Sequence, residues 1–427
     1  MPGRSLAEWL AFQERVHPRA MEFSLGRIRE VLARLKLDRP RARVLTVGGT
    51  NGKGSVTALL DAVLRAAGHR VGLYTSPHLV RYQERIRIDG REIDEARLVD
   101  VFERVEAARR DVSLTFFEYA TAAALLAFDD LEVEFAVLEV GLGGRLDAVN
   151  AVDADVAVVA SIGLDHVDYL GDTLEAIGRE KAGIFRAGRP AVYGSRAMPA
   201  SIASEAARIG ARLERLGEDF GHERTATGFD WWRGGERLAG LPPPALAGEV
   251  QFDNAATALA ALAAGGWLPG REPISQGLRA VRLAGRFDVR PGPVEWIFDV
   301  AHNGPAAEAL AATMRGRAPR GRWLLVVGVL ADKDAAAIGR AIGPALRRED
   351  RLCVVTLPGE RGRTAGALAE LLRPLVGLEP VLADSVEAGC AYAAREARPG
   401  DAVLVFGSFL AVGPALEWHR LYGPKPR

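Results

Sequence analysis

The stretch that most constrains the fold is the decapeptide Val47-Gly-Gly-Thr-Asn-Gly-Lys-Gly-Ser-Val56. Apolar residues 44–47 lead into it and predict a short strand. Val56, Leu59, Leu60, Val63, Leu64 and Ala67 follow at i, i+3, i+4, i+7, i+8 and i+11, which predicts an amphipathic helix with one apolar stripe, closed by Gly68. A strand, a glycine-rich turn and a helix in that order make a phosphate grip. Glycines let the backbone approach an anion, the open N–H groups of the helix start point at it, Lys53 adds charge and Ser55 can hold a cation. The spacing departs from the common phosphate-loop pattern, because Gly54 stands between Lys53 and Ser55 and the glycine spacing before Gly52 is one residue short.

The surrounding chain alternates β-rich and helical runs. Residues 44–47, 71–75, 116–128, 135–140 and 156–161 read as β-rich in that order, with helices after residue 52 and near 93–109. Such alternation predicts a mostly parallel sheet covered by helices, with ligands at the carboxyl ends of its strands. Polar clusters stand where that rule asks: residues 48–55, Ser76-Pro77-His78, Glu139 to Asp147, and 162–166, all expected on one edge. Residues 217–249, with Trp231-Trp232 and three consecutive prolines, suggest a hairpin or loop excursion, and a short alanine-rich helix is expected over 254–264. A boundary near 283–286 then opens a second α/β unit, with β-rich runs at 294–300, 323–329, 352–356 and 402–406. The domains are therefore drawn as 1–284 and 285–427.

Composition narrows the function. With 427 residues, 48% hydrophobic and 26% charged, the chain has the make-up of a soluble protein of two or three domains. Equal totals of 55 basic and 55 acidic residues give no bias toward nucleic acid, so an anion must be held locally. No run approaches the roughly 18 apolar residues that span a membrane, and two cysteines without metal-ligand spacing predict buried reduced thiols in a cytoplasmic protein. The basic residues are 50 arginines and only five lysines, Lys36, Lys53, Lys181, Lys333 and Lys425. A lysine kept against that skew marks a place for a compact ammonium, or for an amine that can lose its proton and be modified.

Several residues carry candidate chemistry. Glu139 ends an apolar strand before a flexible glycine run, where an acid that binds Mg2+ beside a phosphate loop is expected. His166 follows the next strand, and Lys181 lies in a helix-like turn flanked by glycines. In the second unit Asp299-Val-Ala-His-Asn303 places polar groups past an apolar strand, as if to complete an active site.

Taken together, Gly49-Thr-Asn-Gly-Lys-Gly-Ser55, Thr75-Ser-Pro-His-Leu79, Thr115-Phe-Phe-Glu118, Leu138-Glu-Val-Gly-Leu-Gly-Gly-Arg-Leu-Asp147, Leu164-Asp-His166, Gly178-Arg-Glu-Lys-Ala-Gly-Ile-Phe185, Gly285-Arg-Phe287 and Phe298-Asp-Val-Ala-His-Asn303 resemble the motifs of the folylpolyglutamate synthase and dihydrofolate synthase family, relatives of the muramyl ligases. The match runs in order from about residue 21 to Ser408. It implies an N-terminal P-loop NTPase-type domain with a mostly parallel sheet and a smaller C-terminal Rossmann-like α/β domain. It also implies an ATP-dependent ligase, working through an acyl phosphate, that adds L-glutamate to dihydropteroate and to folates.

By position, the resemblance implies that Asn51, Gly52, Lys53, Gly54 and Ser55 bind the ATP phosphates, with Asn254, Arg286 and Asp299 as further nucleotide contacts. Ser55, Ser76, Glu139, His166 and a carbamylated Lys181 would hold Mg2+, with K+ as an additional cation. Phe23, Ser24, Leu25, Gly26, Thr115, Phe116, Phe117, Glu118, Leu146, Asp147 and Ala148 would wall the pterin, and His302 and Ser408 would place glutamate or the acyl phosphate. Lys53, Glu139, His166, Lys181 and His302 form the implied catalytic set. The protein is expected to be a cytoplasmic monomer acting on small molecules, with no nucleic-acid or membrane partner.

The segment Met21-Glu-Phe-Ser-Leu-Gly-Arg-Ile28 matches bifunctional members only in part, which keeps a monofunctional folylpolyglutamate synthase as the alternative. A muramyl ligase would need an extra uridine-nucleotide domain before the phosphate loop. A non-catalytic nucleotide-binding protein would have no need of Lys53, Glu139, His166 and Lys181 together.

Overall fold

The computed structural model describes residues 4–19 and 22–423. They form two compact units. The first takes the chain up to His78, Tyr82–Ala245 and Phe252–Val281; the second takes Leu79–Arg81, Leu246–Gln251 and the chain from Arg282 onward.

The first unit is built on eight strands: β1 (Arg43–Gly48), β2 (Val71–Tyr74), β3 (Ile86–Ile88), β4 (Arg91–Glu92), β5 (Phe135–Glu139), β6 (Val156–Val159), β7 (Pro190–Tyr193) and β8 (Arg212–Arg215), in the order β4-β3-β2-β5-β1-β6-β7-β8. All neighbours from β2 to β8 are parallel, and only the short β3 and β4 run antiparallel at one edge. The register pairs Tyr74 with Leu138, Val47 with Glu139 and Gly48 with Val159, so four adjacent strands end level. The loops expected to converge therefore leave from one edge. Three further strands, β9 (Phe220–Thr225), β10 (Gly228–Arg233) and β11 (Glu236–Leu241), form an antiparallel sheet where a mere hairpin or loop was expected. The Trp231 ring anchors that sheet, fully buried with its indole N–H donated to Ala256 O at 3.1 Å.

Two helices differ from expectation. Lys53–Ala66 is not amphipathic: every residue from Gly54 to Leu64 is buried, including Thr57 and Asp61. Thr57 donates to Gly54 O at 3.0 Å and Asp61 Oδ2 pairs with Arg65 at 2.9 Å, while Asp61 Oδ1 is buried without a hydrogen-bond partner. Helix Arg271–Ala280 covers the remaining side. It comes so close that a Cβ on Gly277 would lie 2.7 Å from the Val63 Cα, which only glycine permits. Gly68 closes the helix as expected, with φ +89° and the His69 amide donating to Leu64 O.

The second correction is 116–128, which is not a β-rich run but the helix Phe116–Asp130. Its alanines favour helix, and Thr115 and Glu118 form a reciprocal capping box at its start. That Thr-x-x-Glu signal was present in the sequence and outweighs the apolar run behind it. The alanine-rich helix expected from 254 begins earlier, at Val250–Ala264.

The second unit is a six-stranded sheet of β12 (Asp288–Arg290), β13 (Glu295–Asp299), β14 (Trp323–Val327), β15 (Arg351–Val355), β16 (Val381–Ala383) and β17 (Ala402–Phe406), ordered β12-β13-β17-β14-β15-β16. All pairs but β12–β13 are parallel. The four expected β-rich runs are its interior; β12 and β16, three residues each, lack the length to announce themselves in sequence. Cys353 and Cys390 are free thiols packed into its apolar core, where burial pushes their ionisation up. Among the described residues no helix is long and apolar enough to cross a membrane.

Candidate active site

The glycine-rich loop leaves β1 and is held open by hydrogen bonds to the loop after β6. The Thr50 amide donates to Ser161 O at 2.7 Å, the Thr50 hydroxyl donates to Gly163 O at 3.1 Å, and the Gly163 amide donates back to it at 3.0 Å. The Ser161 hydroxyl adds a bond to Asn51 O at 3.0 Å. Neither Thr50 nor Ser161 was assigned a role from sequence. Polar loop residues carry no periodicity, so only the fold shows them bracing the turn.

Gly52 caps the following helix at φ +85°, and a Cβ there would lie 2.8 Å from Asn254 Oδ1. A side chain at this position would be strained and would collide with Asn254. Asn51, Gly52, Lys53, Gly54, Ser55 and Asn254 thus come together, although Asn254 is two hundred residues downstream.

Two amines meet at this loop. Lys53 Nζ donates to Gly49 O at 2.9 Å and to Thr50 O at 3.1 Å, and Lys181 Nζ donates to the same Gly49 O at 3.1 Å. Lys181 lies within the last turn of helix Leu174–Ala182, capped by Thr173, rather than in a loose turn, and it is buried. Burial, then the positive charge of Lys53, bring its pKa down to about 7, with Asp165 and Asp147 opposing the shift. The surface salt-bridge role open to an isolated lysine does not apply.

Glu139 ends β5, buried, and its Oε2 accepts the Ser76 amide at 3.3 Å, which ties the loop after β2 to the strand beside it. His166 takes a left-handed conformation, φ 52° and ψ 41°, at the start of a short helix, with its amide donating to Asp165 Oδ1 at 2.9 Å. Among the described residues no three His, Cys, Asp or Glu side chains gather around one point. The implied ligand set does not need them to, since in it Ser55 and Ser76 would contribute hydroxyls and Lys181 would contribute oxygen only once modified. As an ammonium Lys181 only donates, and cannot ligate a cation.

The residues assigned to the pterin wall also gather. The Glu118 carboxylate accepts the Thr115 amide at 2.8 Å and Arg27 Nη2 at 3.2 Å, so it fastens helix Gly26–Arg34, which Leu25 precedes, to helix Phe116–Asp130. Phe23 is partly exposed and rests on Tyr169 with ring centroids 5.7 Å apart, while Ser24 Oγ accepts the Gly26 amide at 3.3 Å. Met21, where the family match begins, lies outside the described residues. Phe117 packs against the loop after β5: a Cβ on Gly141 would stand 2.7 Å from its ring. Asp147 closes that loop by accepting the Leu142 and Val149 amides at 2.9 and 3.0 Å, and burial pushes its pKa up to about 6. Leu146 is half-buried beside it and Ala148 opens the next turn.

In the second unit the ends of β13 and β17 lie side by side, Asp299 opposite Phe406. Asp299 is half-buried and accepts the Phe287 and Ala301 amides, both at 2.8 Å; desolvation raises its pKa against the pull of Arg286. The Arg286 guanidinium lies 5.5 Å from the Phe409 ring, the His302 ring is 6.4 Å from it, and His302 Nδ1 is 2.8 Å from Val300 O. Ser408 caps helix Phe409–Tyr422 by accepting the Leu410 amide at 3.1 Å. The assigned nucleotide and catalytic sets are thus divided between the units, with Arg286, Asp299 and His302 in the second and the rest in the first.

Family models match both parts of the chain: a Mur ligase middle domain over residues 47–222 and a Mur ligase glutamate ligase domain over 285–409. The dihydrofolate synthase/folylpolyglutamate synthase of Escherichia coli is 44% identical, covering 96% of this chain and 95% of its own length. The chain belongs to the dihydrofolate synthase/folylpolyglutamate synthase family. That of Haemophilus influenzae is 38% identical over 95% of this chain and 96% of its own. Among solved members of the family, an Escherichia coli FolC in complex with DHPP and ADP has a TM-score of 0.92 at 42% identity, covering 99% of both chains. A Yersinia pestis bifunctional folylpolyglutamate synthase/dihydrofolate synthase complexed with AMPPNP and Mn ion has a TM-score of 0.90 at 43% identity, covering 98% of this chain and 99% of its own. The α/β architecture is thus that of the family.

Proposed function

We propose that this chain is an ATP-dependent ligase that joins L-glutamate to 7,8-dihydropteroate, giving dihydrofolate, and to tetrahydrofolates, extending a polyglutamate chain. Residues 1–284 bind ATP and the acceptor, and residues 285–427 form the ligase domain. The enzyme works as a monomer in the cytoplasm. The observation that carries the reading is the pair of amines on Gly49 O: a phosphate grip alone fits many activities, whereas a buried near-neutral lysine beside it fits a modified one. The neutral Lys181 amine can take up CO2, forming an N–C bond and releasing one proton, which turns a donor into an anionic oxygen ligand.

A carboxylate is a poor electrophile. ATP therefore transfers its terminal phosphoryl group to a carboxylate oxygen of the acceptor, giving an acyl phosphate. The glutamate amine attacks the carbonyl carbon, the C–N bond forms, and the C–O bond to phosphate breaks. Loop amides from Asn51 to Ser55 and the Lys53 ammonium hold the phosphates and offset their charge as the two anions are brought together. Arg286, Asp299, His302 and Ser408 serve the nucleotide and the incoming glutamate.

The donors at the sheet edge suit a hard cation: the Glu139 carboxylate, the Ser55 and Ser76 hydroxyls, an imidazole at His166 and a carbamate at Lys181 would hold Mg2+, with K+ as an additional ion. Mg2+ bound there supplies charge neutralisation to the reacting phosphate.

The test is Mg-ATP-dependent phosphate release with 7,8-dihydropteroate plus glutamate, compared with tetrahydrofolate plus glutamate. Both should release phosphate. Release with only the second reduces the enzyme to a folylpolyglutamate synthase, and release with neither, while ATP still binds, leaves a non-catalytic nucleotide-binding protein.

A further inference from the structure

In the second unit Asp299, Phe406 and Val327 lie in register at the ends of β13, β17 and β14, so the chain after each leaves from the same edge. The first two strands lead to His302 and Ser408. The third leads into the loop 328–334, which carries Lys333, a buried lysine in a chain with only five. This loop starts hard against the Ser408 turn. The Gly328 amide donates to Phe406 O at 3.1 Å, and a Cβ on Gly407, at φ +111°, would lie 2.5 Å from Gly328 O.

The neighbouring loop, after β15, clasps this one. The Ala331 amide donates to Arg361 O at 2.9 Å, and Arg361 Nη2 donates to Asp332 Oδ2 at 2.6 Å. Arg363 goes further. Its Nη2 donates to Leu330 O, Ala331 O and Lys333 O at 3.2, 2.9 and 3.0 Å, so a single nitrogen gathers three of the loop's carbonyls around it. The backbone is wound tightly to bring it there: the Leu357 amide donates to Arg363 O at 3.1 Å, the Gly362 amide donates to Gly359 O at 2.8 Å, and a Cβ on Gly362 would run into Leu357 O. Meanwhile Arg363 Nε is buried without a hydrogen-bond partner among the described residues, which costs stability. An arrangement that fixes a loop while leaving a donor unsatisfied is of the kind that functional sites retain.

We propose that Arg363 is a positioning residue for the incoming glutamate: it fixes the loop that carries Lys333 against the Ser408 turn, and the affinity for glutamate depends on that fit. Arg363 itself touches no reactant. A loop peptide free to rotate presents carbonyl oxygens to an anionic substrate and repels it, whereas carbonyls held on a guanidinium stay turned away. This rests on the reading above that His302 and Ser408 place glutamate.

The test is steady-state kinetics on the full-length enzyme, varying glutamate, ATP and tetrahydrofolate in turn, for the wild type, Arg363→Ala and Arg363→Lys. Arg363→Ala should raise the KM for glutamate about tenfold and change kcat and the other two KM values by less than about twofold, with Arg363→Lys, which keeps a cation near the carbonyls, raising it only about threefold. Thermal unfolding reports that each variant is folded, and if Arg363→Ala fails that check Arg363→Lys carries the comparison. A glutamate KM that stays at the wild-type value, a fall in kcat alone, or equal rises in all three KM values would each overturn the assignment. If the wild type binds ADP but releases no phosphate with tetrahydrofolate and glutamate, the ligase reading itself falls and the Arg363 role falls with it.

Discussion

The carboxyl edges of the two parallel sheets have the same plan and opposite electrostatics. In the first, Glu139 ends a strand beside a glycine loop onto which two amines converge, and one of them is driven toward neutrality. In the second, Asp299 ends a strand beside a loop whose amides clamp it on both oxygens, and Ser408 and Asn303 cap helices. The first edge holds like charges together and is therefore chemically adjustable. The second ties its polar groups to backbone and is a rigid frame. Topology alone does not make an edge reactive; what matters is whether its side chains are bound to the backbone or set against one another.

The contrast breaks most sharply at Lys181. Lys181→Arg keeps the charge but offers no amine to modify, and phosphate release should fall by about a thousandfold without rescue by bicarbonate; wild-type turnover in this variant would end the distinction. The same lysine gives a pH signature in bicarbonate-free buffer. Its folded pKa of about 7 lies below the unfolded 10.5, so between these values the unfolded chain binds the extra proton and stability rises with pH. Denaturant titrations should therefore show wild type gaining on Lys181→Met from about pH 7 to 10.5, with the full penalty present below 7. A parallel pH dependence in the two proteins would mean that the amine is not strained.

Paired alanine substitutions sharpen the comparison further. Asp299→Ala should lower stability by about 2–3 kcal/mol, since two amides lose their acceptor, whereas Glu139→Ala should cost less stability and abolish turnover. Thermal unfolding beside phosphate release tells them apart, and equal stability losses would contradict the frame-versus-reactive distinction. Thr50→Val removes the reciprocal bonds to Gly163, and we expect a loss of about 1–2 kcal/mol with ATP binding weakened up to about tenfold. The smallest effect is expected at Gly68, whose φ of +89° disfavours a side chain: Gly68→Ala should cost about 1 kcal/mol and leave kcat unchanged.

Much of this was legible in the sequence because it is local. The order of apolar runs set the parallel sheets, the glycine loop declared a phosphate grip, and the scarcity of lysine singled out Lys53 and Lys181 before any contact was known. Periodicity failed where tertiary packing took over. The loop helix reads as one apolar stripe, yet helix Arg271–Ala280 buries its other side, and the apolar run from 116 is helical because of a cap that outweighs its β-rich look.

What the sequence by itself determined was the fold class and the inventory of chemical groups. Their electrostatic state was decided by tertiary structure alone. That Lys181 shares a carbonyl with Lys53 and that Asn254 closes on Gly52 are relations between residues far apart in the chain. A charge is set by its solvent and its neighbours, and neither exists until the chain has folded.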